Sequence, residues 1–176
     1  MFDLIVRSAR DLCNTATASL FEFDGELVHF RSVWRDEYGT SDEWEAYERL
    51  FPMVPTRGSI MCRAILDRHI IHIRDKEAEP GLAQPIRDLS WKSNLSIPLL
   101  RDGAAIGAIS LTAEGIGGFS DSQVALAQTF AEQAVIAITS AETYRELQQR
   151  TRDLEESLEY QTATSDVLNV ISRSSH

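Results

Sequence analysis

The chain lacks, in its last third, the residues that break helices. After Gly117-Gly118 neither glycine nor proline occurs again. That absence removes the usual turn signals and leaves one long segment free to be a single helix. Cysteine is also scarce: only Cys13 and Cys62 are present, too few for a disulfide framework and in keeping with free thiols in a reducing cytosol. Positive charge is short as well. Lys and Arg number 17 against 27 Asp and Glu, a net charge of −10. This excludes a surface built to wrap a nucleic-acid backbone and disfavours an anionic membrane. No uninterrupted apolar run approaches the ~20 residues of a membrane span, and no signal peptide is visible. No Cys/His spacing matches a tetrahedral metal site.

What is present begins with a helix signal, Phe2 to Leu12, with apolar Leu4, Ile5, Ala9 and Leu12 at helical spacing. Ala18 to Trp34 reads as a hairpin around Asp24-Gly25. Glu37 to Leu50 reads as a loop or short helix, interrupted by Pro52 and Pro55. Ser59 to Asp67 is predicted helical, and Ile70 to Ile73 a short strand. Gly81 to Ser90 is predicted to be a mobile connection with a helical turn. Asn94–Leu100 and Ala104–Thr112 form a second hairpin across Asp102-Gly103. Pro98 cannot donate to a ladder, which assigns it to an edge, a bulge or a non-bonding position. Two hairpins plus one strand give an antiparallel sheet in an α+β arrangement.

The last helix opens at Phe119-Ser120-Asp121-Ser122-Gln123. Ser120 and Gln123 have capping-box spacing, and Phe119 and Val124 flank them like a hydrophobic staple. From Ser120 to Ile171 such a helix would be ~78 Å long, against about 30 Å for a compact domain built from the residues before it. It is expected to leave the domain as a rod. Leu147, Leu154, Gln161 and Leu168 recur every seventh residue, with Thr151, Leu158 and Ser165 between them. This predicts a polar-interrupted, parallel two-stranded coiled coil; the alternative is a solvated single helix held by charge pairs. The abrupt start at Met1-Phe2-Asp3-Leu4 and the end at Ser175-His176 read as a fragment of a longer protein.

Several of these segments, in this order, resemble a GAF domain over residues 1 to about 142. They are the first hairpin, Arg57-Gly58-Ser59-Ile60-Met61-Cys62-Arg63-Ala64-Ile65-Leu66, His72-Ile73-Arg74-Asp75, Ser96-Ile97-Pro98-Leu99 with Asp102-Gly103-Ala104-Ala105-Ile106-Gly107, and Phe119-Ser120-Asp121. Leu158 to Ser172 resembles the linker between domains in bacterial multidomain sensor histidine kinases. The resemblance implies a sensor domain at 1–142 and a signalling linker at 143–176. It implies a GAF-like antiparallel sheet of about five to six strands, helices on both faces and a long C-terminal signalling helix. It also implies a homodimer through the first and last helices, with Leu147, Leu154, Leu158 and Leu168 as the transmission seam, in a cytoplasmic signalling protein of the sensor histidine kinase kind; the alternatives are a ligand-free dimerisation and spacing module, or the GAF domain of a transcription regulator or nucleotide cyclase.

The family places a ligand cavity between the sheet and Met53–Trp91. The candidates there are Phe21, Trp34, Met61, Cys62, Ile65, Ile73, Trp91, Ile97 and Ile109, with Arg57, Arg63 and Asp75 nearest its mouth. The fold does not name the small molecule, and any cofactor stays unknown. The family's cyclic-nucleotide signature is absent: Asn94 is followed by Leu95, and Phe119 by Ser-Asp-Ser-Gln. Cys62 is followed by Arg63 rather than by the histidine usual in bilin-binding relatives. It is expected as a small core side chain or, more sharply, a redox-sensing thiol. His29, His69 and His72 are the haem-ligand candidates. One branch of the family reduces free methionine sulfoxide with clustered cysteines; here Cys13 and Cys62 are expected on opposite faces, and no catalytic motif is expected in the fragment.

Overall fold

The computed structural model describes residues 1–35 and 41–174, so part of the expected Glu37–Leu50 segment lies outside the described residues. The elements are α1 (Phe2–Cys13), β1 (Thr17–Phe23), β2 (Val28–Arg35), α2 (Ser41–Glu48), α3 (Ile60–Asp67), β3 (Ile71–Ile73), α4 (Gln84–Arg87), β4 (Ser93–Arg101), β5 (Ala104–Ala113) and α5 (Asp121–Ser174). The strands form one sheet in the order β2-β1-β5-β4-β3, with every pairing antiparallel. The expected α+β class and the long last helix are borne out.

Local chemistry explains the turns. Asp24 Oδ1 accepts from the N–H groups of Glu26 and Leu27 at 2.9 and 2.8 Å, closing the first hairpin loop. These two bonds, and the His29 ring at its other oxygen, hold the Asp24 carboxyl well below the usual carboxylate range. Asp102 and Gly103 both adopt positive φ, 52° and 78°, the mirror-image turn that matches strand twist. Pro98 pairs with Ala108, one residue before the irregularity at Leu99/Leu100. The edge strand β3 reaches only Asn94 to Ser96.

The side-chain period of two divides the sheet into unlike faces. Leu95, Ile97 and Leu99 alternate on β4 with Asn94, Ser96 and Pro98, while Ile109 and Leu111 alternate on β5 with Ala108, Ser110 and Thr112. On β1, Ala18 and Leu20 alternate with Thr17, Ser19 and Phe21. The register aligns like with like: Leu20 opposes Ile109 and Ile109 opposes Ile97. The apolar face also meets α1, whose Ile5, Val6, Ala9 and Cys13 are buried. The other face lies under α2, α3 and α4. Its core combines Phe21, Val28 and Ala108 from the sheet with Trp44, Tyr47, Met61, Ile65, Ile86 and Trp91.

The chain divides into two compact units, Met1–Ile136 and Ala137–His176, a boundary slightly earlier than the expected 142. Within the first unit, Ala127, Ala131 and Ala134 of α5 are buried. Small residues there allow close helix packing. By length and composition alone, α5 also contains a stretch apolar enough to cross a membrane, although the sequence has no uninterrupted apolar run of that length. In the second unit Ile138 is buried and the helix is exposed from Glu142 onward: Leu147, Leu154, Leu158 and Leu168 all face solvent. Arg150 pairs with Glu146 at 2.6 Å, and Gln149 donates to Asp153 at 2.8 Å, both one helical turn apart.

Candidate functional site

One pocket lies on the polar face of the sheet. Its floor comprises Ser19, Asn94, Ser110 and Thr112, and its walls Phe21, Trp44, Tyr47, Ser59, Ile60, Met61, Ile86, Leu89 and Trp91. The floor polar groups satisfy one another. Asn94 Nδ2 donates to Ser110 Oγ at 2.8 Å, and Ser96 Oγ donates to Asn94 Oδ1 at 2.8 Å. Ser96 and Ser110 hydroxyls lie 2.9 Å apart, and those of Thr17 and Thr112 are also hydrogen-bonded. Such a network costs little when complete and much when broken. The roof is aromatic, with edge-on pairs Trp44–Tyr47 at 5.8 Å and Tyr47–Phe51 at 5.3 Å between ring centroids. The space enclosed is about 30 Å³, room for water rather than for a drug-sized ligand.

The roof is tied down by polar bonds at its rim. Ser90 Oγ donates to Glu43 Oε2 at 2.7 Å, joining the start of α2 to the chain after α4. The Lys76 ammonium is buried and donates to the carbonyls of Arg87 and Leu89 at 2.9 and 2.5 Å. It stands 5.2 Å from the centre of the Trp91 ring, a cation–π contact. Burial is the main cause lowering its pKa. Arg63 donates to the carbonyls of Arg57 at 2.6 Å and Pro80 at 3.1 Å, and pairs with Glu79. Arg87 donates to the carbonyl of Glu79 at 2.8 Å. The Gly81–Ser90 connection, expected to be mobile, and the two residues before it are therefore anchored by three cationic side chains.

The residues picked from sequence fall into two groups. Phe21, Met61, Cys62, Ile65, Ile73 and Trp91 share the core beneath the roof, and three of them, Phe21, Met61 and Trp91, line the pocket itself. Ile97 and Ile109, expected at the cavity, are corrected to the opposite face by strand parity. Trp34 is likewise on the α1 side: it pairs with Ala18, and the Arg10 guanidinium stacks 4.2 Å from its ring. The expectation placed the larger apolar residues toward the cavity, whereas helices on both faces bury the polar row as well. Arg57 is occupied by Asp67 through two bonds of 3.1 and 2.6 Å. Asp75 accepts from the Glu77 N–H at 3.0 Å in a turn. Neither lines the pocket.

Selection from sequence missed Ser19, Asn94, Ser110 and Thr112, as well as Trp44, Tyr47 and Lys76. The signal for the floor was present in Ser93-Asn94-Leu95-Ser96-Ile97 and Ile109-Ser110-Leu111-Thr112, where polar and apolar residues alternate. Lys76 carried no signal, since its partners are backbone carbonyls.

The two thiols are poor reagents. Cys62 is fully buried and its Sγ lies 3.4 Å from Met61 Sδ. Burial pushes both the Cys62 and the Cys13 thiols up, which suppresses the reactive thiolate. Cys13 is on α1 and Cys62 on α3, so the sheet separates them. His29 contacts Asp24 Oδ2 at 2.6 Å, and His69 Nδ1 bonds the Asp67 carbonyl at 2.5 Å. His72 Nε2 accepts the Phe119 N–H at 2.9 Å. Among the described residues no group of three or more His, Cys, Asp or Glu side chains could hold a metal ion.

The root of α5 is built around that last bond. Gln123 N–H donates to Ser120 Oγ at 3.2 Å while Ser120 N–H donates to Gln123 Oε1 at 2.9 Å, a complete capping box. Gln123 Nε2 also reaches the Cys13 carbonyl at 3.0 Å. Gly118 has φ +76°, and a Cβ there would stand 2.1 Å from His72 Nε2, so only glycine fits. Arg74 and Gly117 exchange two bonds of 2.8 and 2.9 Å. β3 and α1 thus both hold the first turn of α5.

A sheet with a roofed polar face and a terminal helix rooted on its edge strand defines an α+β domain. The sequence matches the family model for the GAF domain over residues 1–139, and the chain belongs to that family, whose members are in general regulatory sensor modules. No curated protein matches the sequence. Solved structures similar in fold include the GAF domain of a phosphoenolpyruvate-protein phosphotransferase from Coxiella burnetii, at 15% identity and TM-score 0.67, covering 82% of this chain and 84% of that one. A domain of a putative two-component sensor histidine kinase from Sinorhizobium meliloti 1021 matches at 19% identity and TM-score 0.61, covering 82% and 94%. A free methionine-R-sulfoxide reductase from Thermoplasma acidophilum matches at 12% identity and TM-score 0.63, covering 79% and 89%.

Proposed function

We propose that this chain is the regulatory input module of a cytoplasmic signal-transduction protein, a sensor histidine kinase, and that it passes a small-molecule signal through a dimeric α5. The observation that carries the reading is the root of α5. The edge strand beside the roofed pocket supplies the acceptor for the Phe119 N–H, just ahead of a 54-residue helix. Movement of β3 or of the roof segments above it would act on the helix through His72, Arg74 and Gly117. Such coupling needs a ligand that discriminates between two states by ~1–3 kcal/mol. Leu147, Leu154, Leu158 and Leu168 are the seam, because four large apolar side chains left in water on one helix favour a second copy.

The test is sedimentation of the chain and of Leu154→Lys. The parent is expected to be dimeric and the variant to shift toward monomer; unchanged dimer content removes the seam. A second reading, a ligand-free dimerisation and spacing module, is favoured by the small enclosed volume. An enzyme of the sulfoxide-reductase kind is disfavoured by the two buried, separated thiols. We propose no catalysis by this segment, with phosphotransfer assigned to other parts of the parent.

A further inference from the structure

We infer that the pocket accepts an uncharged, planar ligand bearing hydrogen-bonding groups, such as an aryl amide, and rejects the matching carboxylate. This rests on the sensor reading above and names the ligand class of that same site. Every residue lining the pocket is neutral; its polar groups are hydroxyls, one carboxamide and the indole N–H groups of Trp44 and Trp91. Tyr47 is the only ionisable side chain among them, and burial keeps its phenol protonated. The nearby cations do not serve the pocket. Lys76 is spent on two carbonyls, and Arg63 on two carbonyls and Glu79. A charged ligand would be buried without a counter-ion, which is strongly unfavourable.

The floor offers one unfilled bond. Ser19 is only 4% exposed and lines the pocket, yet among the described residues no group bonds its hydroxyl. Its neighbours Asn94, Ser96 and Ser110 are bonded to one another. A ligand amide or hydroxyl can both donate to and accept from Ser19. Flat aromatic surfaces of Trp44, Trp91 and Phe21 favour a ring. The closed volume of about 30 Å³ requires the roof to lift, and the half-buried Ser90–Glu43 bond is its clasp. Ligand entry therefore displaces α2 and α4 from the sheet, the kind of change that a relay needs.

Benzamide and benzoate have the same shape and differ in charge at neutral pH. Calorimetric titration of the 176-residue chain is expected to show saturable benzamide binding, with benzoate at least about tenfold weaker because its charge would be unpaired. Ser19→Ala should weaken benzamide about three- to tenfold, the effect of one hydrogen bond. Ser32→Ala, on the α1 side of the sheet, should leave binding unchanged, and melting curves confirm that both variants fold. Benzoate binding as tightly as benzamide overturns the ligand class and leaves the sensor reading standing. Benzamide binding indifferent to Ser19→Ala also overturns it, because the compound is then elsewhere. If neither compound binds, this inference falls, whereas the sensor reading is decided separately by the sedimentation of Leu154→Lys.

Discussion

At the scale of single residues, Lys76 shows how much of this domain depends on charges that never reach water. Its ammonium stays buried because two carbonyls and an indole face take the place of solvent. Lys76→Met keeps the stem length and removes the donors, leaving the Arg87 and Leu89 carbonyls without them. Urea denaturation is expected to show a loss of about 1–3 kcal/mol. His72 is the residue-scale counterpart at the root of α5. Burial, helped by Arg74 and opposed by Asp121, lowers its pKa below the ordinary value of 6.5. Because the folded state prefers neutral His72, its contribution is complete above about pH 6.5. It is lost as pH falls from there through the folded pKa, where the unfolded chain binds the extra proton. Denaturation midpoints at pH 7.5 and pH 5 should differ less in His72→Gln than in the parent; an equal difference would show that His72 does not titrate in this range.

At the scale of elements, turns and caps were legible because each is written in adjacent residues. Asp24-Gly25, Asp102-Gly103 and Ser120-x-x-Gln123 need only their own backbone to act. The faces of β4 and β5 were less legible. Alternation shows that two rows exist but not which row lies under which helices. That depends on α1 packing beneath the sheet and α3 above it, contacts made across long sequence separations. Trp34 follows the same rule. Its aromatic ring suits a ligand wall, yet register with Ala18 places it against Arg10. α5 also combines two environments. Ala127, Ala131 and Ala134 are buried, whereas Leu147 to Leu168 carry the exposed leucines. This is why Leu154→Lys is expected to affect association without disturbing the domain core.

At the scale of the whole molecule, the sheet works as a partition. Cys13 lies on one side and Cys62 on the other, and both are out of reach of solvent. A thiol-titrating reagent is expected to label neither cysteine in the native protein and both after unfolding. Rapid labelling of Cys62 in the folded chain would revive a redox role. Composition and short-range pattern were enough to establish an acidic α+β domain, two Asp-Gly hairpins, the start of the last helix and its unbroken run, since each follows from chemistry within a few residues. Which strand face became the pocket floor, that the Ser19 hydroxyl found no partner among the described residues, that Lys76 and Arg63 were used up as anchors, and that the roof closed to a water-sized space came from packing alone. Those outcomes depend on which distant side chains meet, and a linear pattern carries no distances.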